Sequence, residues 1–296
     1  MRSDRSRGGG DAAPGMSDGS TLSFQAIQRH LVQRRGLDLS RYKESYLRRR
    51  LMVRVRALKL RGLEEYARYL HRHPEEIVPL QAALSIKVTG FFRNRSCYAF
   101  LREKVVPDLL DRARLRGGRV RAWSAGCATG EEPYSLASLF AAGLGDRDDV
   151  EVEITATDVD ADALSAAEAG RFHAVAILDL APGDAARHFD ADADGTLTPR
   201  PNLREMVTFR RESLLDPFDR EELDLVVCRN VLIYFSLEHQ QTLLTRFAEA
   251  TSAGGYLVLG RVERLLGGAR KMYEVASAGN RVYRRAATAH REHPCD

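Results

Sequence analysis

The chain has 296 residues, 44% of them hydrophobic and 29% charged, which is material for a large buried core and excludes a disordered or collagen-like polypeptide. No apolar run approaches the roughly 20 residues of a membrane-spanning helix. The four cysteines, Cys97, Cys127, Cys228 and Cys295, form no C-x-x-C pair and have no histidine at ligand spacing, so neither a zinc site nor a disulfide framework is expected.

In chain order, residues 1–22 are rich in Gly, Ser, Asp and Arg and lack an apolar core segment. They read as a disordered tail and not as a signal peptide, which predicts a cytoplasmic protein. From Ser23, a plausible helix N-cap, to about Leu115 the apolar spacing is helical, and Gly36 follows a basic last turn. Residues 23–116 are therefore expected to form a small basic helical domain with its linker. Within it, Leu47, Leu51, Val55 and Leu58 fall on one stripe, leaving Arg48, Arg49, Arg50, Arg54, Arg56 and Lys59 on the other faces. Residues 45–61 hold seven basic residues and no acid, so although the net charge is only +4, one helix is strongly positive.

Gly117 and Gly118 mark a change of texture. In residues 117–286, short apolar runs at 120–125, 152–157, 223–228 and 256–259 alternate with helical stretches such as 238–250. That alternation predicts a doubly wound α/β sheet covered on both faces, with its ligand beyond the carboxyl ends of the strands. Residues 178–211 break the alternation and read as a small inserted β subdomain that includes the strand-like run 204–209. Residues 272–275 and 281–284 should close the sheet as an antiparallel hairpin, and 287–296 form a tail.

The strand VRAWSA runs into Gly126-Cys-Ala-Thr-Gly130-Glu-Glu-Pro-Tyr-Ser, a glycine turn that lets backbone approach a nucleotide-like ligand. Glu131 and Glu132 at the following helix N-terminus would repel a pyrophosphate, and no GK[ST] follows to grip one, so NAD and ATP are disfavoured. S-adenosylmethionine, which is phosphate-free and carries an ammonium and a sulfonium, suits a carboxylate there. Both glutamates could instead merely complement the helix dipole. The next strand ends at Asp158, where an adenosyl-binding fold places an acid on the ribose; either Asp158 or Asp160 could also cap the following helix.

Four phrases, Thr89-Gly-Phe-Phe-Arg93, Gly130-Glu-Glu-Pro-Tyr-Ser135, Thr157-Asp-Val-Asp160 and Cys228-Arg-Asn-Val-Leu-Ile-Tyr-Phe235, stand in the order and approximate spacing of the CheR family of chemotaxis receptor glutamate methyltransferases. With the basic helix, the chain resembles that family from Ser23 to Arg284. The resemblance implies that Arg93 and Thr89 hold the methionine carboxylate of S-adenosylmethionine, Glu131 its ammonium side and Asp158 its ribose. Ser213 and Leu214, at a family Asn-Leu beside the adenine, would complete the pocket with Arg229 and Asn230. Tyr234 would lie near the transferred methyl, with Arg93 reaching the same region; the alternative for Tyr234 is a core aromatic. Arg50 and Arg56 would contact the receptor, with Arg54 one turn from Arg50 on the same side.

The sequence departs from the family at Lys87, where many relatives carry Asn, and at Gly260-Arg-Val-Glu263, where they carry Gly-His-Ser-Glu. The implied reaction transfers a methyl group to glutamates on the acidic helical cytoplasmic domain of chemoreceptors. A free glutamate, with a pKa of about 4.3, is already ionised, so no general base or metal is called for. A nucleic-acid methyltransferase is the rival from another substrate class, but the fourth strand ends in Cys-Arg-Asn-Val without an Asn-Pro-Pro-aromatic phrase, and the basic helix lacks interleaved aromatics for stacking. A non-catalytic cofactor-sensing adaptor of a chemosensory array is the other alternative. Some relatives dock a receptor C-terminal pentapeptide on the inserted subdomain; residues 190–202 are short there and lack a Gly-Gly pair, which predicts independence from that tether.

Overall fold

The computed structural model describes residues 18–35, 39–84, 89–173 and 187–287. The chain forms two compact units, Met1–Leu84 and Ser85–Asp296. Lys87 and Gly36 lie outside the described residues.

The first unit is helical. Helix α1 spans Asp18–Arg35, so it begins ahead of Ser23, which is buried inside it and does not cap it. No proline stands between the two positions, and the turn before Ser23 keeps its helical geometry. Helix α2 (Glu44–Ala57) buries the expected stripe of Leu47, Leu51 and Val55, and Leu58 follows as its half-buried C-cap. Helix α3 (Leu63–Arg72) leads through a 3-10 turn at Pro74–Glu76 into α4 (Ile77–Leu84). Helix α1 packs on α3, and α2 packs on α3 and α4, around Tyr66, Leu70 and Leu80.

The second unit opens with helices α5 (Arg95–Phe100) and α6 (Val106–Arg114), joined without a break by a π-turn at Leu101–Val105. The sequence reading assigned these helices to the helical domain and put the boundary at 116/117. They instead pack on the sheet unit because their apolar stripe, Val106, Leu109, Leu110 and Ala113, needs a large apolar surface to cover. Gly143 admits them: a Cβ there would stand 2.9 Å from Val106 Cγ1 and 3.0 Å from Leu110 Cδ1.

A seven-stranded sheet carries this unit. Its strands are β1 (Arg119–Ala125), β2 (Glu151–Asp158), β6 (Val207–Arg211), β7 (Leu223–Cys228), β8 (Thr251–Leu259), β9 (Tyr273–Ser277) and β10 (Val282–Arg285). They stand in the order β6-β2-β1-β7-β8-β10-β9. The pairs from β6 through β8 are parallel, and β10 runs antiparallel to both β8 and β9 as the closing hairpin. Helices α7 (Glu131–Leu144), α8 (Ala161–Ala169) and α10 (Leu237–Ala250) connect them. The order reverses direction beside β1, which makes the carboxyl edge of β1, β2 and β7 the crevice where such sheets bind ligands.

A separate three-stranded antiparallel sheet, in the order β3-β5-β4, is built from β3 (Phe172–His173), β4 (Phe189–Ala191) and β5 (Thr196–Pro199). The expected inserted subdomain, 178–211, differs from it at both ends: β3 precedes residue 178, and the chain leaves the small sheet before residue 211. After the short helix α9 (Pro201–Glu205), the run from Val207 pairs with β2 in the main sheet, Ile154 opposite Val207 and Asp158 opposite Arg211. As an edge strand it is buried at Val207 and exposed at Thr208, Arg210 and Arg211, so its sequence lacks the apolar run of the central strands. Residues 178–186 of the expected subdomain lie outside the described residues. Among the described residues no helix is long and apolar enough to cross a membrane.

Candidate active site

The register of β1 with β2, Ala125 opposite Thr157, brings the glycine turn against the end of β2. The amides of Gly126 and Cys127 donate to the Thr157 carbonyl at 2.8 and 3.0 Å. Gly126 holds φ +85°, and a Cβ on it would stand 2.5 Å from Val231 Cγ2, so only glycine lets this turn and the segment after β7 approach each other. Gly130, φ +98°, sits ahead of α7 with only 2.8 Å between a would-be Cβ and Ala167 Cβ.

Asp158 anchors the same turn. Its Oδ2 accepts from the Ala128 amide at 2.9 Å and its Oδ1 from the Asp160 amide at 3.0 Å. The cap of α8 is Asp160, whose Oδ1 accepts from the Asp162 and Ala163 amides. The choice that the sequence left open is thus resolved, and Asp158 keeps acceptor capacity toward the crevice.

Glu131 is the first residue of α7 and is buried. Thr129 Oγ1 donates to its Oε2 at 2.6 Å, and burial raises its pKa, opposed by that bond. Its neighbour Glu132, expected with Glu131 to repel a pyrophosphate or to complement the helix dipole, has partners of its own. Ser124 Oγ donates to it at 2.8 Å and Arg229 Nη1 lies 3.6 Å away. Burial pushes Glu132 up to about 6 from its ordinary 4.5, with Arg229 pulling the other way.

Arg229 is placed differently from its expected role as a cofactor contact. Its side chain is 3% exposed, donates through Nη2 to the Arg93 carbonyl at 2.6 Å, and lies over the Tyr98 ring at 5.4 Å. The guanidinium faces into the protein and ties the end of β7 to α7 and to the Thr89–Arg93 segment. A strand-end arginine looks ligand-facing in sequence; here a buried carboxylate from another element draws it inward.

The Thr89–Arg93 segment is fixed along its length. Phe91 packs edge-on against Phe172 and Phe189 of the small sheet, at 4.9 and 5.2 Å between centroids. The Phe92 amide donates to Ser135 Oγ at 3.0 Å, and Ser135 donates to the Glu131 carbonyl at 2.6 Å. Phe92 and Asn94 hold φ +47° and +68° on either side of half-buried Arg93, a conformation that tertiary contacts must maintain. Thr89 is also half-buried.

Past β7, Asn230 adopts φ +61° and donates its amide to Glu263 Oε2 at 2.9 Å. Tyr234 closes a 3-10 turn and is half-buried. On the other flank, Leu214 is buried and Ser213 Oγ accepts from the Leu215 amide at 3.2 Å. Ser213 lines a cavity of about 600 Å³ with Val159, Arg211 and Phe218, at the carboxyl ends of β2 and β6. The carboxyl edge therefore gathers Glu131, Asp158, Ser213, Leu214, Asn230 and Tyr234 onto loops of one sheet, with Arg93 tied to it through Arg229.

The candidate receptor contacts lie in the other compact unit. Arg54 is turned onto buried Glu76, Nε to Oε1 at 2.8 Å and Nη2 to Oε2 at 3.0 Å, and the Tyr66 hydroxyl donates to the same carboxylate at 3.0 Å. Its charge is offset inside the unit, contrary to the expectation of a receptor contact. Arg50 donates to the Ala83 carbonyl. Arg56 is exposed on one stripe with Arg49 and Val53.

Glu132 gives a pH prediction. Its folded pKa stands above the unfolded value, so the folded state holds the proton more tightly; the stabilisation is complete below about 4.5 and is lost as pH rises through about 6. In chemical-denaturation series from pH 4 to 7, Glu132→Gln should show a flatter loss of stability with rising pH than the unmodified chain.

Residues 87–282 match the family described as CheR methyltransferase, SAM binding domain, and residues 22–85 match CheR methyltransferase, all-alpha domain. A chemotaxis protein methyltransferase of Listeria monocytogenes is 34% identical over 248 residues, covering 84% of this chain and 91% of the relative. A probable chemotaxis protein methyltransferase of Rhizobium etli is 33% identical, covering 81% of this chain and 91% of its own. Chemotaxis protein methyltransferase 2 of Pseudomonas aeruginosa is 33% identical, covering 88% and 91%.

Proposed function

We propose, from the premise that this chain belongs to the CheR methyltransferase family and is an S-adenosylmethionine-dependent methyltransferase of chemotaxis, that it esterifies glutamate carboxylates on the acidic helical cytoplasmic domain of chemoreceptors. The observation that carries this reading is the pairing at the carboxyl edge of two carboxylates without a phosphate grip: buried Glu131 at the start of α7, and Asp158 held by the Ala128 amide at 2.9 Å.

That donor set fits a cationic adenosyl ligand. Burial raises Glu131, and a cation facing it would favour its charged form. Glu131 would face the ammonium, Arg93 and Thr89 the carboxylate, Asp158 the ribose, and Ser213 with Leu214 the adenine. When bound, S-adenosylmethionine supplies an electrophilic methyl group on a positively charged sulfur.

The substrate glutamate is ionised at neutral pH, so the protein's work is alignment and removal of water from the carboxylate. Arg93 and Tyr234 border the transfer region and orient that carboxylate. They would hold a carboxylate oxygen in line with the methyl and its sulfur, so that the C–O bond could form as the S–C bonding pair returned to the sulfur. Arg50, Arg54 and Arg56 do not serve the receptor alike: Arg54 positions α2 through Glu76, Arg50 holds the end of α4, and Arg56 offers its charge to the acidic partner.

Arg56→Glu should raise the receptor KM about fivefold at low salt and less at high salt, with cofactor affinity unchanged, read from initial rates across ionic strength. The reaction itself is tested by tritiated-methyl transfer to a glutamate-bearing receptor fragment. Base-labile label is expected; label stable to base, or transfer to RNA and not to receptor, contradicts the assignment.

A further inference from the structure

We propose, on the reading that Asn230 lines the cofactor pocket and Tyr234 the transfer region beside it, that Glu263 is a positioning residue for methyl transfer: its carboxylate clamps the turn that carries both. Glu263 is 5% exposed, and amides from two separate segments converge on it. The Asn230 and Gly260 amides donate to its Oε2 at 2.9 and 2.6 Å, and the Ile233 amide to its Oε1 at 3.4 Å. Two of these three donors lie between Asn230 and Tyr234. Bonds from N–H to an ionised acceptor are the strong ones, and here they hold Asn230 at φ +61°, a conformation that a non-glycine residue keeps only under constraint.

Gly260 is the counterpart of this clamp. A Cβ there would lie 2.6 Å from Glu263 Oε2 and 2.8 Å from the Asn230 nitrogen, so only glycine lets β8's end pass the two groups. The departure from the family phrase Gly-His-Ser-Glu also becomes intelligible. Arg261 and Val262 are exposed, whereas the Gly and Glu that make the contacts are both present. Filling space alone would be served by an apolar side chain at a lower desolvation cost; three converging amides are met by a side chain that accepts at both oxygens, and these bonds oppose the upward push of burial on Glu263.

The experiment compares the full chain with Glu263→Gln and Gly260→Ala. Glutamine offers one acceptor oxygen, so either the Ile233 amide or both the Asn230 and Gly260 amides lose their partner and meet an NH2 group; the added methyl of Gly260→Ala pushes the same contact from the other side. Both variants should stay folded by circular dichroism, lose about tenfold or more in kcat, keep receptor KM within about twofold, and bind S-adenosylhomocysteine several-fold more weakly. Hydrogen exchange should accelerate in residues 230–234. A lower melting midpoint with unchanged kcat, unchanged product affinity and unchanged exchange in both variants would overturn the proposal. Should the unmodified chain bind S-adenosylhomocysteine but methylate no receptor, the proposed reaction fails instead. Product affinity and exchange then decide the role of Glu263: equal values in variant and parent refute it.

Discussion

Arg229→Ala is expected to cost about 3–5 kcal/mol of stability and to lower the melting midpoint by roughly 10 °C. The side chains of Arg229 and Glu132 are only 3% and 12% exposed and stand 3.6 Å apart. Removing the guanidinium leaves a buried carboxylate that already sits high at about 6, takes away the donor to the Arg93 carbonyl, and opens a void against Tyr98. Adding Glu132→Gln to Arg229→Ala removes the stranded charge, so the double variant should recover roughly 1–3 kcal/mol of the loss in a double-mutant cycle. An arginine that served only as a cofactor contact would behave otherwise: its loss would weaken ligand binding and leave the melting midpoint in place. Calorimetric melting of the four proteins distinguishes these outcomes.

Asp158→Ala should weaken S-adenosylhomocysteine binding about 10²-fold, the equivalent of one lost charge-assisted ribose bond together with a loosened turn. The carboxylate has two duties. It accepts from the Ala128 and Asp160 amides at 2.9 and 3.0 Å, fixing the glycine turn, and it presents its remaining lone pairs to the crevice. Asp158→Asn keeps one acceptor oxygen but sets an NH2 group against one of those amides, so it should lose affinity as well, by a smaller factor. Helix α8 should be unaffected in both variants because Asp160 caps it. Titration calorimetry with S-adenosylhomocysteine measures the first effect, and far-ultraviolet circular dichroism checks the second.

The strands that the sequence made legible are those buried on both faces. Residues 122–125 and 225–228 are buried without interruption because helices cover both sides of β1 and β7, although Arg121 and Asp224 break the apolar runs ahead of them. Val207–Arg211 escaped assignment to the main sheet because this edge strand, exposed at Thr208, Arg210 and Arg211, shows no such run. The glycine turn, Glu131 and Asp158 were legible because backbone approach and charge constrain residue type locally. The inward pairing of Arg229 with Glu132 and the bond from the Asn230 amide to Glu263 are not legible in sequence, because they join segments far apart in the chain and long-range pairing leaves no local signal. Ser236 caps α10 through the His239 amide, whereas Ser23 does not cap α1. A cap residue followed by a helical pattern thus marks a start only where the preceding residues cannot themselves continue the helix.

The same distinction divides the basic helix. Arg54 and Arg56 are equivalent in sequence, and only the buried Glu76 two helices away separates a charge consumed internally from one that faces outward. A run of basic residues therefore bounded the chemistry of the partner without identifying which arginine meets it.

The most direct measurement is titration calorimetry of the intact chain with S-adenosylmethionine and with NAD in parallel. Single-site heat with S-adenosylmethionine, reduced by Asp158→Ala and absent with NAD, is the result expected of a pocket made for a positively charged adenosyl group without phosphate. Heat with NAD, or none with S-adenosylmethionine, would contradict the roles given to Glu131 and Asp158.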